Sequence, residues 1–153
     1  MDDAAPEDPL ALESQICFAL SLASRSIVAA YRPVLEPLRL THPQYLVMLA
    51  LWERDPLSLK ELSRKLGMTP GTVSPLVKRL ETLGYVRRER HRDDERSLAI
   101  LLTDAGRGLR RRAESIPGTM MERLGMDVEE LTTLHASMLK LIAAARASGD
   151  LPG

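Results

Sequence analysis

The chain has 153 residues, 44% of them hydrophobic and 27% charged, and its formal net charge is zero. That length suits one domain able to bury a useful core, and the apolar content excludes intrinsic disorder. No apolar run reaches membrane-spanning length, and the acidic start (Asp2, Asp3, Glu7, Asp8, Glu13) is unlike a signal or transit peptide, so a cytoplasmic location is expected. A single cysteine excludes an intrachain disulfide, and three scattered histidines without paired Cys or carboxylate spacing predict no metal and no cofactor. A Gly-rich phosphate loop, GxSxG and HExxH are all missing, which argues against an enzyme.

In chain order, Leu10 to Tyr31 reads as a long apolar-rich helix that stops at Arg32-Pro33, since the residue before a proline disfavours helix. A second helix starts at Thr41, with Gln44 as its capping partner, and runs to Arg54. It is apolar nearly all round, which predicts burial on most faces. Ser58 to Gly67 gives an N-cap, a capping-box Glu61, apolar Leu59, Leu62 and Leu66, and a terminating glycine. Thr69 caps the next helix, with Pro70 at its first position and Gly84 at its exit. Two helices joined by Gly67-Met68-Thr69 fit a helix-turn-helix over residues 58–83, whose first helix braces the second against a duplex.

Within Thr69 to Leu83, the residues Val73, Leu76, Val77, Leu80 and Leu83 form one apolar stripe that must face a core. At about 100° per residue the opposite face carries Gly71, Ser74, Pro75 and Lys78, flanked by Thr72 and Arg79. Small and hydroxyl side chains at a helix N-terminus, followed by cations, suit close approach to base edges and phosphates. Pro75 removes a backbone hydrogen bond and costs up to about 3 kcal/mol in an ordinary helix interior, so some gain must offset it. A rigid contact to a thymine methyl is one candidate. Read without its neighbours, the helix is merely amphipathic; the preceding brace and the following hairpin point to DNA.

That hairpin is a wing over residues 85–103: a basic strand from Tyr85 to Arg92, a charged tip, and an apolar strand from Ser97 to Thr103 that packs on the core. Arg87, Arg88, Arg90, Arg92 and Arg96 are poised for phosphates or a narrow minor groove. Asp94 precedes Arg96 by two residues and either makes an ordinary surface ion contact or orients Arg96 toward the groove; the neighbouring helix pair favours the second. Thr103 caps a further helix through about Leu124, which Pro117-Gly118 should bend or break, and Val128 to Ala147 forms the last. Arg110 to Arg112 read as solvated charge. Residues 9–32 and 104–147 carry more apolar face than a small winged domain can cover, and a homodimer is the economical solution. The expected fold is therefore a single mainly α domain with a small β-wing, a winged helix-turn-helix whose N- and C-terminal helices form the dimer. Two-fold symmetry would set two reading helices roughly 34 Å apart on a pseudo-palindromic operator in double-stranded DNA.

This arrangement, with PGTVSPLVKRLETLGYVRR followed by DERSLAILLT, resembles the MarR family of winged helix-turn-helix repressors over essentially the whole chain. ICFAL and AYRPVLEPLRLTHPQYLVMLALWE look like the organic hydroperoxide resistance regulators within it. The resemblance implies that Cys17 is oxidised by an organic hydroperoxide, that Tyr31 hydrogen-bonds it, and that DNA is then released. Two positions depart from the pattern: His42 and Ser21 stand where that branch commonly has tyrosine. His42 either replaces the missing hydrogen bond, favouring a thiolate when protonated, or marks a different signal.

From local context alone Cys17 is an inert small hydrophobe, since its polar neighbours one turn away are Ser14 and Ser21 and neither is a cation. Activation must come from elsewhere in the fold. Tyr31 lies fourteen residues on, about 21 Å along a helix, so the two meet only across a dimer or after a sharp bend. Oxidation to a sulfenic acid and capping by a small thiol would then enlarge a side chain at a packed interface. Three rivals stand beside this reading: a MarR-type repressor that takes a small aromatic or anionic ligand, with Cys17 merely packed; a thiol peroxidase; and a winged helix that binds protein, which suits the zero net charge.

Overall fold

Local capping chemistry decides where the central helices begin. In the computed structural model, which describes residues 8–91 and 94–149 and only the backbone of 91 and 94–97, the Thr41 and Gln44 side chains cap each other's backbone N–H groups, at 3.4 and 3.0 Å. Ser58 and Glu61 do the same at 3.0 and 2.8 Å, as do Asp127 and Glu130. The helices are α1 (Ile16–Leu35), α2 (His42–Glu53), α3 (Leu59–Leu66), α4 (Pro70–Thr82), α5 (Asp104–Ala113), α6 (Ile116–Leu124) and α7 (Val128–Ala147). The strands are β1 (Leu57–Ser58), β2 (Val86–His91) and β3 (Asp94–Leu102).

β2 and β3 form the antiparallel wing, with Val86 opposite Leu102 and Arg88 opposite Ile100. β1 adds a third strand on the other side of β3, pairing Leu57 with Ile100. Sequence patterning does not foretell β1, because two residues carry no periodicity; the free edge of β3 creates it. The solvated basic strand and core-packed apolar strand expected of the wing are found at its base, where Val86, Ile100 and Leu102 are buried while Arg87 to Arg90 are exposed.

One core gathers Leu35, Leu38, Val47, Met48, Leu51, Leu62, Val73, Val77, Leu80, Val86, Ile100 and Ile116. α2 runs through its centre with six buried residues, as an all-round apolar helix must. α3 ends at Gly67 with φ of +65°, and α4 follows after two residues. Among the described residues no helix is long and apolar enough to cross a membrane, and no group of His, Cys, Asp and Glu is placed to hold a metal.

Both ends of the first helix differ from expectation. The first helix begins at Ile16, after a 3-10 turn over Leu12–Ser14 in which the Gln15 amide donates to the Pro9 and Ala11 carbonyls. It then runs past Arg32-Pro33 to Leu35: Pro33 forfeits one hydrogen bond in the final turn, and complete burial of Leu35 offsets it. The bend or break expected at Pro117-Gly118 in the helix from Thr103 to Leu124 is a break: two helices are divided at Glu114-Ser115, just ahead of Pro117. A proline near a helix start needs no N–H partner, whereas within one continuous helix it would break the bond to Ala113.

α7 is different in kind. None of its twenty residues is buried, and Val128, Leu134, Leu139, Leu141 and Ile142 all stand exposed. Leu10, Leu12, Ile16 and Leu22 at the other end of the chain are exposed as well.

Candidate nucleic-acid interface

α4 presents its two faces as the stripe requires. Val73, Val77 and Leu80 are buried and Leu76 and Leu83 partly so, while Thr69, Gly71, Thr72, Pro75, Lys78 and Arg79 are exposed and Ser74 is half-buried. The Thr69 hydroxyl accepts from the Thr72 N–H at 3.3 Å, and the two hydroxyls, 3.0 Å apart, belong to exposed residues at the start of the helix. α4 stays continuous through Pro75, which leaves the Gly71 carbonyl without its usual helical donor. Lys78 and Arg79 have no ion pair among the described residues.

The wing arginines divide into engaged and free. Arg88 makes a two-pronged contact to Glu81 of α4, from Nε to Oε2 at 3.2 Å and from Nη2 to Oε1 at 2.9 Å. Those hydrogen bonds hold the Glu81 carboxyl below its ordinary range and raise the guanidinium further. Arg88 therefore splints the wing to the reading helix instead of standing free for a phosphate, and Arg87 is paired with Glu89 at 3.1 Å. Arg90 is exposed and has no ion pair among the described residues. Arg92 and the side chains of Asp94 and Arg96 lie outside the described residues.

The residues expected to sense fall in two places. Cys17 is exposed and occupies the second position of α1, whose N-cap Gln15 makes no side-chain cap. Sequence reading set it inside a longer helix, where no first-turn amides surround it. Tyr31 lies on the same unbroken helix, so the two are about 21 Å apart within one chain. Tyr31 instead packs on α2, with ring centroids 4.9 Å from His42 and 5.8 Å from Tyr45. Tyr45, which the sequence did not single out, continues to Trp52 at 6.4 Å. Burial raises the Tyr31 phenol, and burial followed by the charge of Tyr31 raises that of Tyr45. Burial also pushes His42 below its ordinary value, which works against an imidazolium there. The Tyr31 and Tyr45 hydroxyls have no partner among the described residues. Ser21 accepts a hydrogen bond from Arg25 at 2.9 Å.

Similarity to known proteins points the same way. A profile of the MarR family matches residues 40–98. The HTH-type transcriptional regulator TtmR of Methylorubrum extorquens (strain PA1) is 44% identical over 155 residues, covering 99% of this chain and 80% of that one. The organic hydroperoxide resistance transcriptional regulator of Bacillus subtilis (strain 168) is 38% identical over 135 residues, covering 88% and 92%. Reduced AbfR bound to DNA, a protein of Staphylococcus epidermidis, superposes with a TM-score of 0.69 at 32% identity, covering 86% of this chain and 96% of AbfR. With a reading helix, brace and wing, and a fold shared with a DNA-bound relative, the chain belongs to the MarR family and is a DNA-binding transcriptional regulator.

Proposed function

We propose that the chain is a homodimeric cytoplasmic repressor that releases its operator when an organic hydroperoxide oxidises Cys17. The position of Cys17 carries the reading: it is exposed at the second position of α1, where a peroxide can reach its thiol. The thiolate is the reactive form of cysteine. Its sulfur attacks the distal peroxide oxygen, the O–O bond breaks, an alkoxide leaves and takes a proton, and the sulfenic acid remains. A small thiol then condenses with it, losing water and leaving a mixed disulfide; with one cysteine in the chain, no second position can close an internal one.

The exposed apolar residues of α7 and of the N-terminal region support a dimer, and across such a dimer the partner's Cys17 can meet Tyr31 and Tyr45 beside His42. On DNA, Thr69, Gly71, Thr72, Ser74 and Pro75 read the major groove with Lys78 and Arg79 on phosphates, while Arg90 and Arg96, oriented by Asp94, serve the flanking groove. The DNA-bound relative solved in a reduced form supports a redox reading.

The test is a gel shift on a duplex selected by the reduced chain from a randomised pool, with cumene hydroperoxide and a small thiol, for wild type beside Cys17→Ser. Wild type is expected to lose about 10-fold or more in affinity, and Cys17→Ser less than about 2-fold. Undiminished binding by protein whose Cys17 is shown by mass to be oxidised overturns the reading. Lys78→Ala is expected to weaken binding evenly across sequences and to reduce the slope of log K against log salt by roughly 2 per dimer; an unchanged slope removes Lys78 from the phosphate contacts.

A second reading is favoured by a cavity of about 340 Å³ between α2, α5 and α6, lined by Tyr45, Leu49, Trp52, Arg110 and Pro117. Its aromatic walls suit a small aromatic effector, while Arg110 at the rim is paired with Glu114 at 3.2 Å and Glu53 adds a second carboxylate. A Cys17→Ser protein that still responds to an inducer would establish it.

A further inference from the structure

Tyr85 stands where four elements converge. It follows α4, and its N–H donates to the Leu80 carbonyl at 3.0 Å. Its carbonyl accepts from the Thr103 N–H at 3.1 Å, while the Thr103 hydroxyl donates to the Gly84 carbonyl and accepts from the Gly106 N–H at 3.1 Å. Its hydroxyl donates to the Leu38 carbonyl at 2.8 Å, forty-seven residues away. Leu38 belongs to the 3-10 turn Glu36–Leu38 that joins α1 to α2, and Arg112 of α5 donates to the adjoining Pro37 carbonyl at 3.0 Å. The circuit closes through Trp52 of α2, whose indole N–H donates to the Gly106 carbonyl at 2.9 Å.

The turn itself is stiff. Arg39 holds a left-handed φ of +61°, its N–H closes on the Glu36 carbonyl at 2.9 Å, and the Leu40 N–H reaches the Leu35 carbonyl at 3.3 Å. A displacement of the end of α1 is therefore carried by Leu38 as a rigid point, with no slack in the turn to absorb it. On the other side, Tyr85 is covalently one residue from α4's exit at Gly84 and one from the first wing residue, Val86. A contact whose only role was to fill space would not need a directed O–H between these two points.

We infer that Tyr85 is a positioning residue that couples the α1–α2 turn to the reading helix and wing through its hydroxyl, so that the state of α1 sets the posture of the DNA-binding surface. This rests on the proposed control of DNA binding from α1 for its biological direction, but the coupling is measurable without any peroxide. Linkage is reciprocal: if α1 biases DNA binding through this contact, DNA must stabilise the turn through it by the same factor.

The experiment is amide hydrogen exchange on the full chain, wild type and Tyr85→Phe, with and without the duplex selected by the wild type. In wild type, DNA is expected to slow exchange at Arg39 and Leu40 about 10-fold; in Tyr85→Phe the same amides are expected to change less than about 2-fold, while amides of α4 are protected equally in both and report that DNA is bound. Arg112→Met, which removes the neighbouring bond to Pro37, serves as the control for a merely loosened turn and is expected to retain the DNA-dependent slowing. Equal slowing in wild type and Tyr85→Phe, or none in wild type, overturns the inference, as does its loss in Arg112→Met. In a parallel arm, peroxide-driven release is expected to fall below about 2-fold in Tyr85→Phe although Cys17 is oxidised as completely as in wild type. Failure of wild type to release DNA in that arm overturns the sensing reading and leaves the exchange result to decide on Tyr85.

Discussion

Replacing Leu134 and Leu141 together by glutamate is expected to yield a folded monomer whose operator affinity is lower by about 100-fold or more. Both residues lie on one side of α7, two turns apart, and both are exposed in the single chain, at 46% and 37%, so the subunit's own core does not depend on them. Burying a Leu stabilises by roughly 1.5 to 3 kcal/mol, and a carboxylate forced into the same contact is penalised heavily instead. Four such charges across a two-fold axis exceed what a modest interface tolerates. Operator affinity falls because one reading helix then binds without the effective concentration that a tethered second one supplies. Light scattering with circular dichroism separates the outcomes: a dimer that persists in the double variant moves the interface away from this side of α7.

Gly106→Ala is expected to destabilise the fold by about 2 to 3 kcal/mol, or roughly 8 °C in Tm. A Cβ at this position would lie 2.0 Å from the Tyr85 carbonyl oxygen and 3.3 Å from a Leu102 methyl. The oxygen is backbone and already fixed by the Thr103 N–H, so it cannot swing aside as a side chain does. Alanine is better than glycine within a helix by up to about 1 kcal/mol, and the steric penalty outweighs that gain. Urea denaturation at fixed protein concentration measures the loss, since the stability of an oligomer depends on concentration. A change under about 0.5 kcal/mol, ordinary for a surface site, would show that α5 and the start of the wing separate easily.

Features that lie within a few residues of one another were legible before any coordinates. The Thr41–Gln44 and Ser58–Glu61 caps, the left-handed Gly67, the apolar stripe of α4 and its polar outer face all follow from local spacing, and each is found. Features that depend on distant partners were not. Arg88 reads as one more wing cation until α4 brings Glu81 against it. β1 has no signal of its own and exists because β3 leaves an edge beside it. The beginning of α1, and with it the setting of Cys17, is a local exception: folding of Gln15 back onto Pro9 and Ala11 competes with helix in a way that apolar content does not register.

By itself, the order of residues determined the helix-turn-helix, the wing and the outward face of α4, because helix periods, caps and strand alternation act over a turn or a hairpin and need no knowledge of the rest of the chain. Tertiary structure alone decided that Tyr31 packs on His42 and Tyr45 of α2, that Arg88 belongs to Glu81, and that Tyr85 joins the α1–α2 turn to the reading helix. Those contacts span up to forty-seven residues, and which side chains meet at such separation is set by the packing of α2 and α5 in a common core, a property no local pattern encodes.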